Sequence, residues 1–275
     1  MQLFAPAKIN LSFQILRRRE DGFHEIDTLM APISLRDELT IEPNEAGLVF
    51  SCDDPSLPAG EENLVVRAAR AFFVELREEP RVRIALRKKI PHGAGLGGGS
   101  SDAASTLLGL NQLHEGRITP ANLTILAAAL GSDVPFFLAQ SAARCRGHGE
   151  IVEPVAPLPL MSLLLLKPEF GVPTSWAYQH WQDSRELPGV GYGPQTVGNL
   201  TLQNDLERPV FEKHVFLARM KGWLREQPEV AAALMSGSGS TMFAVLRETA
   251  SADALAARAR AEMDPLLWTC PAQNL

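Results

Sequence analysis

Five glycines fall within seven positions of the segment from residue 91 to residue 104, and they form its chemical core: Gly93, Gly95, Gly97, Gly98 and Gly99. Glycine leaves the backbone bare, so several N–H groups can converge on one anion. Pro91 ends the preceding strand, and Ser100 or Ser101 is predicted to cap the helix that follows. A helix N-terminus adds partial positive charge. Residues 93–101, the glycine loop, are therefore predicted to bind phosphate.

A flexible linker or a simple strand-to-helix turn is the alternative for the glycine loop, but a linker needs neither a preceding strand nor a capped helix. The chain lacks GxxxxGK[ST], which excludes a P-loop. Gly93, Gly95 and Gly98 satisfy GxGxxG, although a glycine-dense run satisfies many patterns. That fingerprint also requires a second strand that ends in an acidic residue about 20 positions further on. In this chain residues 116–120 occupy that stretch and lead into another helix. A nicotinamide-dependent oxidoreductase is thus a disfavoured alternative.

Lys8 and Asn10 lie in a segment, residues 7–16, in which apolar and polar residues alternate. Period two predicts a half-buried strand, so both side chains share one face, about 7 Å apart. Lysine on a strand is usually exposed to solvent, and that remains the alternative for Lys8. Asn10 either hydrogen-bonds a ligand or ties down a loop.

Asp133 follows a predicted helix stop at Gly131 and precedes Pro135. On such a short loop a carboxylate can face a cleft, which makes it a candidate general base. The alternative is an N-cap for residues 134–139, and the two roles are compatible.

The elements that position these residues mix strands and helices without regular alternation, which predicts an α+β fold. Periodicity predicts helices over residues 61–76, 101–113, 120–130, 210–225 and 250–263, strands over residues 82–86, 163–166 and 242–246, and a loop over residues 189–198. Prolines 154, 157 and 159 suggest a boundary between domains of residues 1–153 and 154–275.

The composition excludes several classes of protein. A formal net charge of −6 gives no general attraction for nucleic acid. Three scattered cysteines favour neither a disulfide framework nor a zinc site, and a reducing cytosol fits best. The N-terminus does not resemble a signal peptide. The longest apolar stretch, residues 158–166, is far short of the roughly 20 residues that span a bilayer.

Three segments together resemble the three motifs of the GHMP kinases, in order and spacing, over nearly the whole chain: PAKINL (residues 6–11), the segment 91–104 and MSGSGS (residues 235–240). The resemblance implies a two-domain fold with an N-terminal ATP-binding domain and the active site in the cleft between the domains. We call residues 236–240 the serine loop. The family places it against the glycine loop; without the family, a simple turn would be expected.

Four further strings resemble the GHMP kinases that act on 4-diphosphocytidyl-2-C-methyl-D-erythritol: DGFHEIDTL (residues 21–29), ENLVVRAA (62–69), GSDVPFF (131–137) and NDLE (204–207). Two departures are Phe23, where the family usually has tyrosine, and Thr241 after the last motif. The implied reaction transfers the ATP γ-phosphoryl group to the 2-hydroxyl of the methylerythritol moiety, in the non-mevalonate route to isoprenoids.

The resemblance also implies roles for individual residues. Lys8 and Asp133 form the catalytic pair, and the residues expected to bind substrate are Asn10, Phe23, His24, Thr174 and Tyr178. His24 would read the cytosine edge, since an imidazole supplies a donor and an acceptor. Phe23 and Tyr178 would stack on the cytosine, with Thr174 beside them. Ordinary core packing is the alternative for both aromatic residues, and a surface position is the alternative for His24.

For ATP, the glycine loop and Pro91 are expected to hold the triphosphate, with Asn63 and Lys88 at the adenine pocket. Lys88 is equally consistent with a solvated strand charge. Mg²⁺ is implied by ATP, but no carboxylate cluster marks a metal site, so phosphates and water are expected to hold the ion. The chain is expected to be a monomer or weak homodimer.

Two further interpretations stay open at this point. A GHMP kinase for another alcohol, of the homoserine or mevalonate type, would share the loops. A non-catalytic ATP-binding regulator would not require both Lys8 and Asp133.

Overall fold

A computed structural model describes residues 1–248 and 250–275, and within them twelve strands and eight helices are numbered in chain order. The strands are β1 (Gln2–Arg18), β2 (His24–Pro43), β3 (Val49–Cys52), β4 (Val82–Arg87), β5 (Ala143–Gly147), β6 (Ile151–Pro154), β7 (Ser162–Lys167), β8 (Gln195–Val197), β9 (Leu200–Asn204), β10 (Val230–Met235), β11 (Met242–Leu246) and β12 (Trp268–Gln273). The helices are α1 (Leu64–Leu76), α2 (Gly98–Leu113), α3 (Pro120–Leu130), α4 (Val134–Leu138), α5 (Thr174–His180), α6 (Glu207–Lys213), α7 (Val215–Glu226) and α8 (Ala252–Glu262). The mixture confirms the α+β class.

The strands form two sheets. The first runs β3-β4-β2-β1-β9-β8, with β5 on β2 and β6 on β5. The second runs β10-β11-β7-β12 and is antiparallel throughout. β8 and β9 come from beyond residue 153 yet join the first sheet, through a parallel pairing of β9 with β1. The boundary between residues 153 and 154 stays a prediction.

β1 places its alternate residues on two buried faces. Ile9 and Leu11 pack with Leu163 and Phe243 of the second sheet in one apolar cluster. Lys8 and Asn10, on the other face, are only 4% and 1% exposed. The predicted alternation is confirmed, but the solvent-exposed alternative for Lys8 is wrong because the other chain segments cover that face too.

Several helices begin or end at residues other than those that the periodicity predicted. α1 begins at Leu64 because the Asn63 side chain accepts a hydrogen bond from the Val65 N–H and caps it. α2 begins at Gly98, since Gly97, at φ 70°, is the N-cap. The predicted cap at Ser100 or Ser101 is therefore wrong, and both serines lie in the first turn.

The predicted helix over residues 210–225 is divided at His214 into α6 and α7, and the predicted loop over residues 189–198 contains β8. The predicted α3, β4, β7 and β11 are confirmed to within a residue. No helix of the described ranges has both the length and the apolar character to cross a membrane.

Candidate active site

A cavity of about 850 Å³ lies where the glycine loop, the serine loop, β1 and α5 meet. The predicted site residues that line it are Lys8, Asn10, Phe23, His24, Asn63, Lys88, Pro91, Gly93, Gly95, Gly97, Gly98, Gly99, Ser100, Asp133, Thr174 and Tyr178. Ser101 instead lies fully buried in the first turn of α2. The structure therefore brings together residues that are up to 170 positions apart in the sequence.

The serine loop packs directly on the glycine loop. The Ser236 hydroxyl donates to the Gly95 carbonyl at 2.9 Å, and the Thr241 N–H donates to the Ala94 carbonyl at 3.2 Å. A Cβ on Gly95 would lie 2.2 Å from the Ser236 carbonyl oxygen, and Gly95 has a φ of 74°. Only glycine fits this contact without displacing one loop. The serine loop is therefore part of the site wall rather than a simple turn.

Lys8 is held at the junction of these two loops. Its N–H donates to the Leu96 carbonyl at 2.9 Å, which ties β1 to the glycine loop. Its ammonium donates to Asn10 Oδ1 at 2.7 Å and lies 3.6 Å from Asp133 Oδ2. The Asn10 amide donates in turn to the Thr28 hydroxyl at 2.9 Å. A buried cation thus lies between an amide oxygen and a carboxylate at the cavity wall.

Asp133 stands at the N-cap position of α4, but within the described chain its carboxylate makes no capping hydrogen bond. Asp133 is therefore the N-cap residue by position, as the alternative predicted, but its side chain does not cap the helix. The side chain is 39% exposed, so the carboxylate is accessible from the cavity. Burial, followed by the Asp133 charge, raises the pKa of Tyr178 and raises that of Cys145 to about 12. The charge of Asp133 therefore acts on the buried Cys145 and on the partly buried Tyr178.

The predicted cytosine-binding rings lie in two ring pairs, one of which is completed by His148. His24 stacks on Tyr178 with centroids 5.2 Å apart and planes 25° apart. Phe23 is 55% exposed and faces His148 at 5.1 Å. Burial, and then the positive charge of Arg18, lowers the pKa of His24, so its imidazole is neutral at pH 7. A neutral ring carries one donor and one acceptor.

Two other predicted residues use their polar atoms on neighbouring protein groups. The Thr174 hydroxyl is hydrogen-bonded to the Ser238 hydroxyl at 2.9 Å, which links α5 to the serine loop. Asn63 accepts from the Val65 N–H and donates to the Pro58 carbonyl at 2.8 Å. Both residues still line the cavity.

Lys88 is buried and pairs with Asp37 and Asp102. The alternative that it is a solvated strand charge is therefore wrong. Burial lowers its pKa, but the charges of Asp102 and Asp37 outweigh that effect and raise it. Burial raises the pKa of Asp102 to about 7, Lys88 opposes the rise and Asp37 adds to it.

Two family models match the chain: the GHMP kinases N terminal domain over residues 63–141 and the GHMP kinases C terminal model over residues 195–265. A 4-diphosphocytidyl-2-C-methyl-D-erythritol kinase of Methylacidiphilum infernorum is 43% identical over 244 residues, which cover 88% of this chain and 85% of that one. A crystal structure of 4-(cytidine 5'-diphospho)-2C-methyl-D-erythritol kinase matches with a TM-score of 0.81 and 39% identity, over all of both chains. The chain belongs to the 4-diphosphocytidyl-2-C-methyl-D-erythritol kinase family.

Membership of this kinase family confirms the GHMP fold and removes the oxidoreductase alternative. GHMP kinases use ATP as the phosphate donor. A homoserine kinase from Cytophaga hutchinsonii matches over the whole of this chain with a TM-score of 0.62 but only 18% identity, so that likeness concerns the fold alone.

The described residues offer few ligands for the magnesium ion that ATP implies. Within residues 1–248 and 250–275, no group of three or more His, Cys, Asp or Glu side chains is arranged to hold a metal. Asp102 Oδ1 and the Ser101 hydroxyl, at the start of α2, are buried oxygens without a hydrogen-bond partner in the described residues. An oxygen donor of this type suits Mg²⁺, so Asp102 fits a supporting role.

Sequence reasoning missed several residues of this kinase site. Asp37 and Asp102, which hold Lys88, carry no local signal that predicts their meeting. His148 faces Phe23, and its Nδ1 is 2.8 Å from the Ser132 hydroxyl. A histidine between Gly147 and Gly149 was visible in the sequence, but its proximity to Phe23 depends on the pairing of β5 with β2.

Proposed function

We propose that the chain transfers the γ-phosphoryl group of ATP to the 2-hydroxyl of 4-diphosphocytidyl-2-C-methyl-D-erythritol, a step of the non-mevalonate route to isoprenoid precursors. The observation that carries the proposal is that the Lys8–Asp133 pair, the glycine loop and the His24–Tyr178 stack line one cavity. The 43% and 39% identities to kinases of that name support the choice of substrate.

Phosphoryl transfer needs alignment and charge neutralisation more than covalent chemistry. In the proposed mechanism Asp133 accepts the proton of the attacking 2-hydroxyl. The Lys8 ammonium, 3.6 Å from the Asp133 carboxylate, can polarise the same hydroxyl. Asn10 fixes the direction of the ammonium through its 2.7 Å hydrogen bond.

The cytidine end of the substrate is assigned to the ring pairs. His24 presents a neutral imidazole to the pyrimidine edge, and the rings of Phe23 and Tyr178 supply stacking surface, worth about 1 to 3 kcal/mol per base contact. Phe23 keeps the ring of the usual tyrosine without its hydroxyl. Tyr178 is near both ends of the site, because it stacks on His24 and the charge of Asp133 contributes to the rise in its pKa.

The ATP end is assigned to the glycine loop. Gly93, Gly95 and Gly97 all have positive φ, which turns the chain tightly before the N-terminus of α2. Lys88 lies against this loop, since a Cβ on Gly98 would be 3.3 Å from its Nζ. When bound, Mg²⁺ would neutralise charge on the phosphates; Asp102 is the residue here that could support it. The monomeric or weakly dimeric state and the cytosolic location stay predictions.

The test is ATP consumption by the purified chain with Mg²⁺ on a panel of alcohols: 4-diphosphocytidyl-2-C-methyl-D-erythritol, homoserine and mevalonate. We expect turnover on the cytidine-bearing alcohol alone. Turnover on homoserine or mevalonate instead would refute the substrate. ATP binding without turnover on any alcohol would favour the regulator.

A further inference from the structure

Asn204 occupies the start of the NDLE segment, residues 204–207, which joins β9 to α6. It is 4% exposed, and every polar atom of its side chain is used. Its amide donates to the carbonyls of Met235 and Gly237, each at 2.7 Å, and its Oδ1 accepts from the Leu206 N–H at 2.9 Å. One side chain therefore bridges the two carbonyls on either side of Ser236, at the start of the serine loop.

Glu207, at the end of the same segment, holds the same part of the chain. It is completely buried, and its Oε1 accepts from the Met235 N–H at 2.9 Å. Its Oε2 pairs with the ammonium of Lys221, which is 1% exposed. A buried carboxylate requires a partner. Lys221 is that partner, and it fixes the orientation in which Glu207 accepts the hydrogen bond from the Met235 N–H.

Asp205 fastens the segment to β1. Its N–H donates to the Phe13 carbonyl at 2.9 Å, and its Oδ2 accepts from the Ile15 N–H at 2.8 Å. The parallel pairing of Phe13 with Asn204 continues this contact. The NDLE segment is thus bonded to the strand that carries Lys8 and, at the same time, to the serine loop.

The serine loop has little freedom above the catalytic residues. Gly237 has a φ of 55°, and a Cβ on it would lie 3.3 Å from Asn10 Oδ1 and 3.4 Å from Lys8 Nζ. We propose that Asn204 and Glu207 are positioning residues, which hold the serine loop against Lys8 and Asn10 in the geometry that phosphoryl transfer needs. This inference rests on the proposed site at Lys8 and Asp133.

The first test is Asn204→Asp, which keeps the shape but replaces the two N–H donors by an oxygen facing two carbonyls. Since a displacement of about 1 Å in an active site can lower a rate roughly 100-fold, we expect kcat to fall by about 10- to 100-fold. KM for both substrates should change by less than about threefold, at a temperature where the variant is folded.

The matched control is Asn274→Asp. Asn274 is equally buried and also joins two backbone groups, accepting from the Met161 N–H at 2.6 Å and donating to the Pro159 carbonyl at 3.1 Å, away from the cavity. It should lose thermal stability but keep kcat within about twofold of the native value. Equal kcat in the two variants, both near native, would overturn the proposal.

A second pair of variants keeps the proposal testable if Asn204→Asp does not fold. In Glu207→Gln the amide oxygen should turn to Lys221, which removes the acceptor from the Met235 N–H, so kcat should fall. Adding Lys221→Met, of similar volume, frees that oxygen for Met235, and kcat should recover at least fivefold. Native kcat in Glu207→Gln, or a loss that the double variant does not reverse, would refute the role.

Asp133→Asn in the same assay separates the two hypotheses. If Asp133→Asn retains turnover, the proposed site itself is wrong. If Asp133→Asn abolishes turnover while Asn204→Asp and Glu207→Gln leave kcat unchanged, only the positioning role is wrong.

Discussion

Gly95→Ala tests the contact between the two loops. The added Cβ would lie 2.2 Å from the Ser236 carbonyl oxygen, so the loops must separate by about 1.2 Å to reach an ordinary contact of 3.4 Å. The φ of 74° adds roughly 1 to 2 kcal/mol of backbone strain, and the overpacking adds about 1 to 3 kcal/mol. A separation of this size next to Lys8 should lower kcat by roughly 100-fold.

Gly116→Ala is the matched control. Gly116 has the same φ of 74°, but its Cβ would meet nothing within 4 Å. The free energy of unfolding of Gly116→Ala should fall only by the backbone strain, about 1 to 2 kcal/mol, and its kcat should stay native. Urea unfolding and steady-state kinetics on both variants measure the two effects. If Gly95→Ala loses no more stability than Gly116→Ala and keeps kcat within about threefold of native, the account of the loop contact is refuted.

Two predictions concern pH. Because burial and Arg18 lower the pKa of His24 below 6.5, KM for the cytidine-bearing substrate should rise as pH falls through that lowered pKa; a KM profile showing the same rise in His24→Gln would contradict this. Burial, opposed by Lys88, raises the pKa of Asp102 to about 7 in the folded chain, whereas an unfolded aspartate has a pKa near 4. Between these pH values the folded chain therefore holds a proton that the unfolded chain has released. The stability from this proton is present below pH 4 and is lost as pH rises through about 7. Between pH 4 and pH 7 the free energy of unfolding should therefore fall less for Asp102→Asn than for the native chain, as measured by urea titration at several pH values. If the two free energies fall equally with pH, the reasoning is wrong.

The sequence predicted the features that depend on local chain properties. The period of two in β1 placed Lys8 and Asn10 on one face, opposite Ile9 and Leu11, because a strand must alternate its side chains. The glycine density predicted a tight loop before a helix. The helix start was wrong by three residues, since the left-handed Gly97 replaced the expected serine cap.

Contacts between distant segments could not be predicted in this way. Asp37 and Lys88 are 51 positions apart and meet only because β2 pairs with β4. Likewise, His148 reaches Phe23 through β5. Such pairs depend on sheet register, which no local periodicity determines. The sequence therefore predicted residues that line the cavity, but not how Lys88 is neutralised.

The most direct test of the central claim is single-turnover phosphoryl transfer with saturating ATP and 4-diphosphocytidyl-2-C-methyl-D-erythritol, for the native chain and for Asp133→Asn. If the Asp133 carboxylate accepts the proton of the attacking hydroxyl, the variant should slow the chemical step by about 10²- to 10⁴-fold. Its dissociation constants for both ligands should stay within about threefold of the native values. A chemical step within about threefold of native would contradict the mechanism.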